Sequence, residues 1–276
     1  MLPRPGMSNE SERDQPSEKA QKGYHTILEQ HLSQAQDEIE RKAGGLFLSG
    51  LSAGLDLGFG PFLMAVASTL TRDELSHAAS RILVSLCYTV GFVFVIVGRS
   101  ALFTEQTTSA VLPVLARRAS FGQLLRLWGI VLGANLIGAA LISAVIAHLG
   151  PRLGIAEPGA FGEVAGRLLN HSWGVMLISG IAAGWLMGLM SWLVIASRET
   201  ISQVAVIVMT TFVIGIGGFH HSIAGTIEVL AAVFAHAGAT LSDYGVFIVL
   251  SVIGNAIGGA VFVALLKFGH VNASHG

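Results

Sequence analysis

The chain has 276 residues, of which 52% are hydrophobic and 12% charged, with 34 glycines and a formal net charge of −1. A soluble domain carries about 25% charged residues, so this composition reads as a polytopic membrane protein, and the near-zero charge gives no case for a nucleic-acid partner. The single cysteine, Cys87, leaves no intrachain disulfide to form.

Residues 1–22 are rich in Pro, Ser, Glu and Lys and read as a disordered tail with no cleavable signal peptide. Residues 23–45 follow as an amphipathic helix. Leu28, Leu32, Ala35 and Ile39 recur on one face, and the segment is too polar to cross a bilayer. It reads as a cytoplasmic helix on the mouth of the membrane domain or on a neighbouring subunit, with a solvated surface helix as the alternative. The membrane domain spans 46–268, and 269–276 is a C-terminal tail. Spans are predicted at 46–68, 82–116, 123–149, 174–197, 201–235 and 243–268. A straight span needs roughly 20 residues. The second and fifth are too long for one helix and carry polar or glycine-rich interruptions, VGRSALFTEQTT at 97–108 and GIGGFHH at 215–221.

The two interruptions point to an internal repeat, about 46–149 and 174–268. GLSAG at 50–54 is echoed by GIAAG at 180–184, and GANLIGA at 133–139 by GNAIGGA at 254–260. Asn135 thereby corresponds to Asn255, and Thr104 to His221. A three-span unit has an odd number of crossings, so the halves run in opposite directions. Eleven Lys and Arg flank one side of the spans (residues 4, 13, 19, 22, 41, 42, 117, 118, 126, 198 and 267). Four (72, 81, 152 and 167) flank the other, with Arg99 in the first break. This excess predicts both termini in the cytoplasm, in a bacterial-type inner membrane.

Ionisable groups at bilayer depth are expensive and mark function by default. His221 follows a helix break and titrates near working pH, which makes it the central candidate. His220 points about 100° away on a helix and reads as structural support or a subunit contact. Thr104 opens the half-helix after the first break, where it caps backbone N–H groups or faces an anion. Glu105 complements that helix end or sets selectivity, and a pair with Arg99 would cancel its field. Asp56, in the middle of span one, is expected neutral, bonded to a neighbouring span or facing water. Asn135 and Asn255 are expected to hold freed backbone groups at the breaks. No enzyme motif or Walker-type loop is present. HH without further ligands is a weak metal signal, so no cofactor or metal is expected.

GRSALFTEQTTSAVLPVL (98–115), GANLIGA (133–139), GFHHSIAG (218–225) and GNAIGG (254–259), with GLSAGLDLGFG in span one, resemble the formate/nitrite transporter family. The TEQT form of the first break is similar to its YfdC-like branch. The resemblance covers essentially 46–268. It implies an aquaporin-like inverted 3+3 arrangement of six transmembrane helices, with the second and fifth broken. It also implies a homopentamer with one pore in each protomer, carrying small monovalent anions of weak acids such as formate, nitrite and hydrosulfide. The family's central histidine, which exchanges a proton with the anion, matches His221. Its LFT turn matches Leu102, Phe103 and Thr104, and its constrictions fall on Tyr88, Phe92, Met187 and Ile214. Arg167 stands one position from a basic residue of the family. This chain departs in having His220 before the histidine, Gly225 and Gly184 at asparagine positions, and the acids Asp56 and Glu105.

The expected function is therefore a channel or transporter for such anions or their neutral acids, within a lipid bilayer, with His221 moving the proton. Glu105 and Asp56 keep open a pore for a neutral solute or a cation. The long N-terminal segment keeps open a membrane scaffold or sensor that transports nothing.

Overall fold

The computed structural model describes residues 22–262 and 269. The tail at 1–21, the last turns of the sixth span and all of the C-terminal tail but Gly269 lie outside the described residues. Twelve helices are described: α1 (Tyr24–Glu40), α2 (Ala43–Asp56), α3 (Phe59–Thr71), α4 (His77–Val97), α5 (Phe103–Ser109), α6 (Val111–Leu115), α7 (Phe121–Arg152), α8 (Pro158–Leu169), α9 (Trp173–Ala196), α10 (Thr200–Gly217), α11 (Ser222–Phe234) and α12 (Leu241–Val261). Six segments among them are long and apolar enough to cross a membrane, counting α2 and α3 together as Ala43–Thr71.

The described parts of the predicted spans fall on these helices and the breaks between them, with three differences. Span one bends at Leu57 and Gly58, between α2 and α3, where no break was expected. Beyond its break, span two divides again into α5 and α6, with Pro113 in the second piece. The third difference is α8, which the span reading passed over because twelve residues cannot cross a bilayer. Its sequence is nonetheless amphipathic. Pro158 starts it, and Ala160, Phe161, Val164, Ala165 and Leu168 form its buried face. Its exposed side is tied to α3 through Arg72, which bonds Glu157 (2.6 Å) and Glu163 (2.8 Å), and through Ser68 to Glu163 (2.7 Å).

The repeat is visible in how glycines let backbones meet. In the first half, α2 packs on α7. A Cβ at Gly54 would collide with the carbonyl oxygen of Asn135, and one at Gly138 would meet that of Leu51. In the second half, α9 packs on α12. A Cβ at Gly184 would strike the oxygen of Asn255, and one at Gly258 that of Ile181. The sequence echoes are therefore the same helix crossing made twice, where only glycine permits the approach.

The breaks also correspond. At the first, α4 ends at Gly98 and Arg99 takes the left-handed conformation (φ 56°). At the second, Gly218 takes it (φ 64°) at the end of α10. A left-handed residue is the common way to end a helix, and glycine adopts it without strain. Arg99 thus occupies a backbone role that the other half gives to glycine.

α1 is not a free surface helix. Leu28, Leu32, Ala35 and Ile39 are buried, together with Ile27 and His31, against α5, α6, α7 and α9. Lys22 Nζ latches its start to span four through the carbonyl of Ile195 (2.6 Å).

Candidate functional site

The two breaks meet in the interior. Thr104 and His221 are 0% and 1% exposed, and Thr104 Oγ1 lies 2.8 Å from His221 Nε2. His221 is the N-cap of α11, and its Nδ1 accepts the Ala224 N–H at 3.2 Å. That bond sets the tautomer: Nδ1 carries no proton, so Nε2–H is the donor and Thr104 Oγ1 accepts. Phe92 packs edge-on against the imidazole (ring centroids 5.0 Å, 87°), and Tyr88 lies 5.0 Å beyond Phe92. Beside the histidine, Ser222 Oγ is sealed and without a hydrogen-bond partner among the described residues.

Asn135 and Asn255 play identical parts. Asn135 Oδ1 accepts the Phe103 N–H (2.8 Å), while Nδ2 donates to the carbonyls of Gly50 (2.7 Å) and Ala101 (2.9 Å). Asn255 Oδ1 accepts the Ser222 N–H (2.8 Å), while Nδ2 donates to Gly180 (2.8 Å) and His220 (2.9 Å). Each amide satisfies the start of one half-helix, one carbonyl of its break and one carbonyl of the span it crosses. No water is available at bilayer depth to do this.

His220 does not share the pocket of His221. Its Nε2–H donates to the Leu168 carbonyl (2.8 Å), which leaves Nδ1 to accept from Ser179 Oγ (2.8 Å). It clamps the break to α8 and α9. Leu102, Phe103, Met187 and Ile214 are buried in the same core. The ring of Phe103 lies 6.0 Å from Trp128 of α7, edge to face, and both line an apolar groove with α12.

Two expectations change. Arg99 and Glu105 line one cavity but form no ion pair among the described residues, because Arg99 is carried outward by its left-handed turn. Glu105 instead shares the cavity lining with Ser191 of α9. Asp56 is not bonded to a neighbouring span; its partner is Ser52, one turn earlier (2.8 Å). It sits half-buried at the α2–α3 bend, apart from the histidine and from that cavity.

The cavity holds about 610 Å³ beneath α1. Its acids are Asp37, Glu38 and Glu105, and its bases Lys22, Arg99 and Arg198, so neither charge sign prevails. On its α1 side, His31 is 1% exposed, with Nε2 3.4 Å from Ser191 Oγ and Nδ1 unpartnered. Burial pushes the His31 pKa down to about 4. An exposed histidine titrates near 6.5, so the docked helix keeps its full stability above pH 6.5 and loses it as pH falls toward 4. From pH 7 to pH 5 the docking should weaken by about 2 kcal/mol. Trp192, whose ring lies 6.2 Å from His31 and tilted to it, reports this. Its fluorescence, isolated by subtracting Trp192→Phe, should step between pH 7 and 5, and His31→Asn should remove the step. A flat trace in the unmodified chain would rule the coupling out.

Glu228 was missed. It lies two turns into α11, on the same face as His221, and is 5% exposed. The signal was present in the sequence: it is the one carboxylate inside 201–235 and seven residues after the histidine.

Comparison with known proteins agrees with this architecture. The family model described as "Formate/nitrite transporter" matches residues 25–269. The inner membrane protein YfdC of Escherichia coli (strain K12) is 31% identical over 251 residues, covering 88% of this chain and 78% of that protein. A solved FNT family ion channel superposes with a TM-score of 0.76 at 23% identity, covering 90% of this chain and 98% of its own. A pentameric formate channel with formate bound superposes with a TM-score of 0.69, covering 83% and 98%. The repeat, the paired breaks and the family match over nearly all of the described residues lead to one conclusion: this chain belongs to the formate/nitrite transporter family.

Proposed function

We propose that the chain forms a transmembrane pathway for small monovalent anions of weak acids, with a proton exchanged at His221. The single observation that carries this reading is the contact of Thr104 with His221, where two half-helices from opposite repeats begin in a sealed interior. Helix starts favour negative charge, which suits an anion at this depth. The Tyr88 and Phe92 rings on one side oppose it, because a bare charge crossing apolar surface loses its hydration.

A proton resolves the conflict. In the resting tautomer, Nε2–H is the hydrogen-bond donor. When Nδ1 takes up a proton it gives up the Ala224 bond, a loss of about 1 kcal/mol. The imidazolium then passes its Nε2 proton to the anion. The neutral acid crosses the apolar stretch and the histidine is left neutral with its proton on Nδ1; release of that proton and uptake of one at Nε2 restore the resting tautomer and its Ala224 bond. The unpartnered Ser222 hydroxyl is available to the acid's oxygen as it passes. The balanced charges of the cavity under α1 give no support to a cation pathway.

On this reading the face carrying α1 is cytoplasmic, in keeping with the Lys and Arg excess there. The membrane is a bacterial-type inner membrane, and the assembly is a homopentamer, as in the similar formate channel. The test is uptake of formate, nitrite, hydrosulfide and a neutral solute by proteoliposomes holding the full chain. Anion uptake that saturates and rises with an inward proton gradient is expected. Uptake of the neutral solute alone, or of nothing, overturns the reading.

A further inference from the structure

We propose that Glu228 is a second proton-exchange residue, acting on the travelling anion in the half of the pore away from α1, with Arg167 as its counter-charge. This rests on the anion pathway proposed above and adds the residue that loads or unloads the proton before the centre is reached.

The geometry begins with the helix. Seven residues make nearly two turns, so Glu228 projects from the same side of α11 as His221, about 10 Å further along. That direction leads away from α1. The Tyr88 ring packs on Phe92, which in turn packs on the histidine. Arg167 is half-buried in the last turn of α8, the helix that packs along α11. α8 does not float over this site. Its next residue, Leu168, accepts the bond from His220 in the break, and its start is held to α3 by Arg72. The guanidinium is therefore presented to α11 by a fixed element.

The carboxyl is not satisfied as a structural group would be. Among the described residues it forms no hydrogen bond and no ion pair, although a buried polar group is ordinarily paired. Nothing else nearby takes over its charge. α3 carries no charged residue, α7 meets α11 through the Ser143 hydroxyl (3.3 Å to the Ile227 carbonyl), and His148 and Arg152 of α7 are exposed. Tyr244 of α12 is half-buried. On α8, Glu163 is engaged by Arg72 and Ser68. On α4, Arg81 donates to the Ile216 carbonyl (2.9 Å). Arg167 and Tyr88 are the charged and titratable groups whose fields reach Glu228, and His221 lies about 10 Å away along α11.

The step balances. An anion drawn toward Arg167 takes the proton of the Glu228 carboxyl. One O–H bond breaks on Glu228 and one forms on the solute, so the charge moves from solute to Glu228, where Arg167 offsets it. The neutral acid passes Tyr88 and Phe92 toward His221, and Glu228 regains a proton from water on its own side. In the reverse direction, Glu228 as carboxylate takes the proton from the emerging acid.

The test uses labelled formate and proteoliposomes holding the full chain, with uptake followed from pH 5 to 8 and empty liposomes subtracted. Glu228→Gln should slow uptake at least tenfold and flatten its pH profile, while the detergent-purified assembly elutes and melts as the unmodified one does. Glu228→Asp should retain uptake with a displaced pH profile, which also covers the case where the glutamine variant does not fold. A wild-type rate and profile in Glu228→Gln, or an undisplaced profile in Glu228→Asp, overturns the inference while leaving the anion pathway intact. Absence of anion uptake by the unmodified chain overturns both.

Discussion

His221→Ala is expected to lower formate or nitrite uptake by about 10- to 100-fold and to abolish its dependence on the proton gradient. The magnitude follows from the interaction removed. A hydrogen bond to a charged group contributes about 1.5–3 kcal/mol, and each 1.4 kcal/mol is a factor of ten. Alanine also deletes the cap on α11, a further loss of about 1 kcal/mol, so reduced uptake alone would not separate chemistry from folding. His221→Asn does so. Asparagine accepts the Ala224 N–H as a cap and still presents a polar group to Thr104, but carries no exchangeable proton near neutral pH. It should fold, remain slow and lose the pH dependence. Wild-type uptake with wild-type pH dependence in His221→Asn would end the claim that His221 moves a proton.

Asn255→Ala should be the most damaging substitution for the fold. It strands the Ser222 N–H and the carbonyls of Gly180 and His220, three buried groups with no water to replace the amide. At about 1–3 kcal/mol for each unsatisfied group, the loss is roughly 3–9 kcal/mol, enough to unfold many proteins of ordinary stability. Asn135→Ala removes the equivalent three bonds and should cost a similar amount. The two differ in what survives. Asn255 holds the residues either side of His221, so any assembled Asn255→Ala protein should also lose uptake. Asn135 acts on the Thr104 side and leaves the histidine's own cap in place. Melting temperature in detergent and elution as an intact assembly measure the first effect. Unchanged melting in Asn255→Ala would show that the amide is dispensable at the break.

Much of this was legible before any coordinates. Spans are set by the length and hydropathy of local stretches, so all six could be found by composition alone. The echoes of small residues were legible because helices in lipid approach only where side chains vanish, and Gly54, Gly138, Gly184 and Gly258 prove to be those places. The partnership of Thr104 with His221 followed from the repeat. A short helix such as α8 was not legible, since no bilayer thickness imposes its length and only the surface it covers gives it a reason to form.

The sequence by itself determined that this is a membrane protein of two inverted three-span halves, with a histidine at one break and a threonine at the other. Those facts reside in periodicity, spacing and residue type. Only the tertiary structure decided which polar groups meet. It parted Arg99 from Glu105 through a left-handed turn, returned Asp56 to its own helix and took His220 out of the pore by giving both its ring nitrogens partners. It also brought forward Glu228, buried on α11 where α8, a helix with no signature in the span pattern, packs along it. Side-chain pairing across a bundle depends on where distant segments cross, and that geometry exists only once every helix is packed.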